Sequence, residues 1–154
     1  MTRAVSPLVG VPLLVGVTVI LAAVVGVMAL GFSPPEPGDP VVLSADATAD
    51  GRIEITHRSG PAIDLAEVSV RIEVDGEPLD HQPPVPFFSA TGFAPGPTGA
   101  FNEAGDTTLE SGERASLEVA GTNDPVLTEG ATVRIQLVRE ETRVAVLETT
   151  VGTG

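Results

Sequence analysis

The apolar stretch from Leu8 to Phe32 most constrains what the chain can fold into. It holds 25 residues without a charged side chain. As a helix rising ~1.5 Å per residue it would reach roughly 38 Å, more than the ~30 Å hydrocarbon core of a bilayer. Thr18 is its only polar side chain, and in a helix a threonine hydroxyl can bond the carbonyl one turn earlier. The stretch is therefore predicted to be a membrane-spanning helix.

Small residues interrupt the apolar side chains of this stretch. Gly10, Gly16 and Gly26 would disfavour a helix in water, whereas a lipid environment tolerates them. Pro12 is expected to interrupt the first turns. Ala22 and Gly26 stand four residues apart, the spacing of small residues that lets two membrane helices approach closely.

The charges that flank the stretch predict its orientation. Arg3 precedes it, and Glu36 and Asp39 follow it. Positive charge stays on the cytoplasmic side, so the N-terminus is expected inside and residues 36–154 outside. The segment 33–40 carries four prolines and is predicted to be a stiff, extended linker, with the domain behind it beginning at residue 41.

The charge balance excludes some partners and indicates a habitat. The chain has 21 acidic residues against 8 arginines, a net charge of -13, and no lysine. Such a surface repels itself in dilute salt, whereas at molar salt the Debye length of ~3 Å screens the repulsion. We interpret it as adaptation to high salt, with an ordinary acidic protein as the alternative. Nothing resembles a basic patch, so nucleic acid is not an expected partner.

Alternating apolar and polar residues dominate the remainder, residues 41–154. Val68 to Val74 alternates over seven residues and ends at the turn dipeptide Asp75-Gly76. Further strands are predicted in segments 41–47, 52–58, 117–119, 133–137 and 144–151. The pattern predicts an all-β, immunoglobulin-like antiparallel β-sandwich, held together without disulfides because cysteine is absent.

A proline- and glycine-rich segment, His81 to Asp106, breaks the alternation. It holds four of the five phenylalanines, at positions Phe87, Phe88, Phe93 and Phe101. Long loops in compact domains are usually functional or disordered, and disordered segments are depleted in aromatics. Two interpretations stay open: a loop whose rings plug the end of the sandwich, or an interaction surface.

The sequence carries no pattern typical of an enzyme, and no cofactor or metal is expected. His57 and His81 are isolated, and no nucleophile elbow, zinc spacing or phosphate loop occurs. Carboxylates at Asp46, Asp50 and Glu54 match no calcium-loop spacing. The two asparagines, Asn102 and Asn123, begin no glycosylation sequon.

The N-terminal residues resemble those of archaeal type IV pilins, and most closely the haloarchaeal group. The segment Arg3-Ala4-Val5-Ser6-Pro7-Leu8-Val9-Gly10-Val11 is similar to the RAVSP-type box of that family. The run TVILAAVVG at residues 18–26 is similar to the helix that follows the box. Pro12 departs from the pattern, and the segment before the box is short.

This resemblance implies a class III signal peptide, cut by a prepilin peptidase between Ala4 and Val5. Residues 1–4 would be the leader and 5–32 the retained helix, with Arg3, Ala4, Val5, Ser6 and Pro7 forming the processing site. Ser6 and Pro7 favour an extended approach to the helix. Lipid, the pilus machinery and other pilin subunits are the implied partners, and a cell-surface filament with a role in adhesion is the implied product. The implied assembly residues are Leu8, Gly10, Val17, Thr18, Ile20, Leu21, Ala22, Ala23 and Gly26.

Two other interpretations stay open. In one, residues 8–26 are a secretory signal with a cleavage site at Val27-Met28-Ala29. In the other, the helix anchors an extracytoplasmic binding domain or an accessory pilin that never polymerises.

Overall fold

The structure, a computed structural model, describes residues 7–31 and 39–154 of the chain. It divides into two compact units, an N-terminal one that ends at Gly38 and a second one, Asp39–Gly154, which we call the head. The processing residues Arg3, Ala4, Val5 and Ser6 and most of the predicted linker lie outside the described residues.

The described part of the N-terminal unit is one helix, α1, over Pro7–Gly31. Pro7 is its first residue, a position where proline fits because that N–H would have no partner within the helix. The expectation of an extended stretch through Pro7 is therefore wrong at that residue. The expected interruption at Pro12 is also wrong, since α1 continues through it. Pro12 lies in the second turn and has no N–H to donate, yet the helical backbone continues on both sides of it.

The head is mostly β-structure. Its strands, among the described residues, are β1 (Val42–Thr48), β2 (Arg52–Ser59), β3 (Ile63–Asp64), β4 (Ser69–Val74), β5 (Glu77–Pro78), β6 (Thr108–Leu109), β7 (Arg114–Glu118), β8 (Thr132–Arg139) and β9 (Thr142–Gly152). Two single-turn 3-10 helices, Leu65–Glu67 and Gly99–Phe101, are added to these strands. The prediction of an all-β head is confirmed.

Seven of the strands form one curled sheet in the order β5-β4-β8-β9-β1-β2-β7, and β3 pairs with β6 separately. Neighbours are antiparallel except β1 and β9, which run parallel and pair only at Ala47 with Val151 and Thr48 with Gly152. One continuous strand order with a parallel pair differs from two separate antiparallel sheets. The immunoglobulin-like topology therefore stays a prediction.

Period-two alternation places one side of each strand in a single core. In β8, Val133, Ile135 and Leu137 are buried, and in β2, Ile53 and Ile55 are buried opposite Leu117 and Ala115 of β7. Both ends of the sheet order contribute to the same cluster of buried side chains, so the sheet curls around one core. The outward residues of the same strands are largely charged or polar.

Two-residue turns join several neighbouring strands. Asp75-Gly76 connects β4 to β5 and Glu140-Glu141 connects β8 to β9, both with positive φ at both residues. The turn at Asp75-Gly76 is the one that the sequence predicted. Such primed turns match the right-handed twist of the strands.

Candidate functional site

Helix α1 presents apolar side chains in every direction. The span Pro7–Leu30 is strongly apolar, and its most apolar part is not buried. Leu8, Val17, Ile20 and Leu21 are exposed, as are Ala22 and Ala23. By length and composition the helix can cross a membrane, and a helix that is apolar all round needs lipid or other protein to cover it.

The polar and small residues of α1 fit such an environment. The Thr18 hydroxyl donates to the Leu14 carbonyl at 2.7 Å, so the prediction that it bonds one turn back is confirmed. No atom would lie within 4 Å of a Cβ added at Gly10, Gly16 or Gly26. Ala22 and Gly26 thus leave a shallow, open patch on which a second helix can pack closely.

The phenylalanine-rich loop, residues 81–106, puts three of its rings into the core. Phe87, Phe93 and Phe101 are buried, and the Phe87 and Phe93 rings lie 5.7 Å apart in a tilted arrangement. Phe88 is 53% exposed. Of the four predicted contact residues, only Phe88 has an exposed ring, and the other three pack inside the head.

The same loop covers one outer edge of the sheet. Thr98 and Ser116 of β7 exchange backbone hydrogen bonds, and Ala94 donates to the Glu118 carbonyl. The hydroxyls of Thr98 and Ser116 also lie 2.7 Å apart. Unpaired edges invite pairing with other chains, and this loop occupies the β7 edge.

The opposite edge is closed by β5 and by a side chain. The Gln82 amide accepts from the Ile72 N–H at 2.7 Å and donates to the Ile72 carbonyl at 3.0 Å. It therefore pairs with β4 as a short strand would. Sequence analysis missed Gln82, because nothing in its neighbourhood signals that its amide imitates a backbone.

Asn123 joins its own loop to two points of the phenylalanine-rich loop, His81 and Gly92. It is 2% exposed, and its Oδ1 accepts from the N–H groups of His81 and Asp124. Its Nδ2 donates to the carbonyls of His81 at 3.0 Å and Gly92 at 3.2 Å. A fully satisfied buried amide rigidifies its surroundings. This role of Asn123 was not predicted, since the sequence showed only that the residue begins no glycosylation sequon.

The two histidines are placed differently. His57 is buried, and its Nε2 lies 3.0 Å from the Pro61 carbonyl, whereas His81 is exposed at the loop edge. Asp46 and Glu54 oppose each other across β1 and β2, while the Asp50 carboxylate accepts from Thr48 and from the Arg52 N–H. Among the described residues, no group of histidine and carboxylate side chains is arranged to hold a metal ion.

Hydrogen bonding lowers the pKa of Asp50, chiefly through the Thr48 hydroxyl and then through the Arg52 N–H. On the outer face of the sheet, Arg134 of β8 contacts Glu148 of β9 and Glu73 of β4. The Glu148 carboxylate raises the pKa of Arg134. These contacts are exposed and link strands of the sheet. They help to fix how the strands pair and do not form a reactive site.

An exposed apolar helix followed by a β-rich head defines a membrane-anchored surface subunit without an assembled catalytic constellation in its described part. Residues 3–43 match the family model described as archaeal type IV pilin, N-terminal, so the N-terminal resemblance is confirmed and the protein is a pilin-like membrane-anchored subunit. No curated protein matches the chain. The family is structural, associated with the pilus and with other pilin subunits.

Proposed function

We propose that the chain is a pilin that a prepilin peptidase cuts between Ala4 and Val5 and that then assembles through α1 into a cell-surface filament. The observation that carries the proposal is the family match over residues 3–43, which contains the whole of α1. In the precursor, the N-terminus faces the cytoplasm and the head lies outside, as the single arginine before the helix favours.

The two environments of α1 follow from its surface. In the membrane, lipid covers its side chains. On leaving the membrane, the same surface would meet water unless other helices covered it, and burial stabilises by ~25 cal/mol per Å2 of apolar area. Identical helices provide that cover, and the patch at Ala22 and Gly26 permits close approach. Attachment to surfaces is the role we propose for the assembled filament.

The N-terminus of the protein made by its own host tests the processing step. We expect mass spectrometry to give a mature chain that begins at Val5. A chain that begins at Leu30 would show simple secretion and refute the proposal. An uncut chain would favour a permanent anchor.

Substitutions at the predicted cut separate recognition from membrane insertion. Ala4→Trp and Arg3→Glu should leave the precursor uncut in the membrane, because a small residue and a basic residue are expected at the cut. Thr2→Ala, one residue further away, is the control and should be processed normally. Equal processing of all three variants would contradict the proposed site.

Filament formation is tested at the small-residue patch. Gly26→Leu together with Ala22→Leu should allow processing but reduce filaments seen by electron microscopy, because bulky side chains hold helices apart. Val24→Leu changes an exposed apolar residue of the same helix and is the control. The adhesive role is then tested by comparing the attachment to glass of cells that bear filaments with that of cells that make the Gly26→Leu, Ala22→Leu variant.

A further inference from the structure

The turn Glu140-Glu141 is an unusual choice for its conformation. Its φ angles are 44° and 68°, in the left-handed region that glycine and asparagine adopt most easily. The head makes its other two-residue turn of this kind, between β4 and β5, with Asp75-Gly76. Two glutamates at the β8–β9 turn therefore cost stability that Asn-Gly would not, and strain of this kind persists where the side chains are needed.

Glu140 and Glu141 line a groove that two arginines also line. The groove has a volume of about 600 Å3 on the outer face of β4, β8 and β9, and Arg71, Gln136, Val138 and Arg143 line it together with the turn. Arg71 and Arg143 are exposed and form no ion pair with any carboxylate in the described part of the chain.

In contrast to the groove, a neighbouring row of charged residues across the same sheet is paired. There Glu73, Arg134 and Glu148 lie side by side and pair with one another. One step along the strands, Arg71, Gln136 and Val146 form the next row. Val146 is 41% exposed, one of few large apolar side chains that the described head leaves in solvent. This part of the face thus holds arginines and glutamates that form no ion pair within the described part of the chain, and they lie beside the exposed Val146.

We propose that this groove and turn form a contact surface between heads, and that its partner is a second copy of this chain. The charges favour that partner, because the surface is complementary to itself: the arginines of one copy meet Glu140 and Glu141 of the other, and the reverse. Contacts in which each copy offers the same patch are the commonest way for identical chains to pair. Elsewhere the acidic heads repel each other.

The contact is weak alone. Exposed ion pairs each contribute little to binding, because water and salt screen them. The contact acts where the membrane holds subunits side by side at high local concentration. Neighbours in a helical filament are related by a rotation and a rise, which excludes a two-fold contact of this kind. The inference therefore rests on the proposed function to bring copies together, while its residues lie far along the chain from the processing site.

The absence of lysine gives a direct test. In Arg143→Lys the charge is kept and the only lysine of the chain is introduced. A zero-length carbodiimide reagent then links that amine to a carboxylate in contact with it. In membranes that hold the full chain, we expect a covalent dimer whose linked peptide contains Glu140 or Glu141 of the second copy. Arg58→Lys, an exposed arginine bonded to Ser44 outside the groove, is the matched control and should give none.

A second variant separates contact from structure. Glu140→Asn with Glu141→Gly should raise the thermal midpoint by removing backbone strain, and in the Arg143→Lys background it should abolish the dimer. A purely structural turn would give the higher midpoint and leave the dimer unchanged, which would overturn the inference. So would an Arg143→Lys chain that is processed and forms filaments but yields no dimer, or a link to a different protein. Failure of the proposed function would instead appear as an uncut N-terminus.

Discussion

Removal of the Phe101 ring tests whether the phenylalanine-rich loop is part of the core. Phe101 is 1% exposed, and its carbonyl accepts from the Phe87 N–H at 2.9 Å. Phe101→Ala removes a buried ring and leaves a cavity, which costs about 3–5 kcal/mol. For a domain of this size each kcal/mol lowers the midpoint by about 4 °C, so we expect a fall of about 12–20 °C.

Phe88→Ala is the matched control. The Phe88 ring is exposed, so its loss should change the free energy of unfolding by no more than about 0.5 kcal/mol. Differential scanning calorimetry of the full chain in detergent suits the measurement, because the chain has no Trp or Tyr for fluorescence. Equal shifts for the two variants would refute the placement of the loop. A large loss of surface attachment in Phe88→Ala alone would support a contact role for that ring.

Three further substitutions test other parts of the head. Asn123→Ala leaves buried groups of two loops without partners and should cost about 2–4 kcal/mol, whereas Asn102→Ala, which removes one exposed turn bond, should cost under about 1 kcal/mol in the same calorimetric scan. Gly99→Ala would place a Cβ 2.2 Å from the Arg114 carbonyl, so its midpoint should fall further than that of Gly112→Ala, where φ is also positive but space is open. The pKa of Asp50 is lower in the folded head, so the ionised Asp50 stabilises the fold above the ordinary carboxyl pKa, and this stabilisation is lost as the pH falls through the folded pKa. Asp50→Asn should therefore weaken the fall of the thermal midpoint at acid pH. An unchanged fall at acid pH would contradict this.

The long strands were predictable because their alternation is local. Val68 to Val74 alternates without interruption, and the structure gives β4 over Ser69–Val74. The strands β3 and β6 were not predicted, since two residues carry no period. Their pairing depends on contacts far apart in sequence, such as the bond from Thr107 to Asp64.

The candidate sites divide in the same way. Thr18 was predictable because its partner lies one turn away within α1. Asn123 was not, because its partners His81 and Gly92 are 42 and 31 residues away. The adjacent residues Phe87 and Phe88 differ in burial, which composition alone does not distinguish. Local patterns thus identify elements, whereas the side chains that join loops depend on the complete fold.

The closed edges of the sheet limit the kind of contact that neighbouring heads can make. The loop residues 94–98 occupy one edge and Gln82 with β5 the other, so neighbouring heads have no ladder through which to fuse as amyloid chains do. Neighbours then touch through side chains, which separate and re-form readily. In the proposed filament, the apolar surface of α1 would therefore supply most of the cohesion between subunits, and contacts between heads would add little to it.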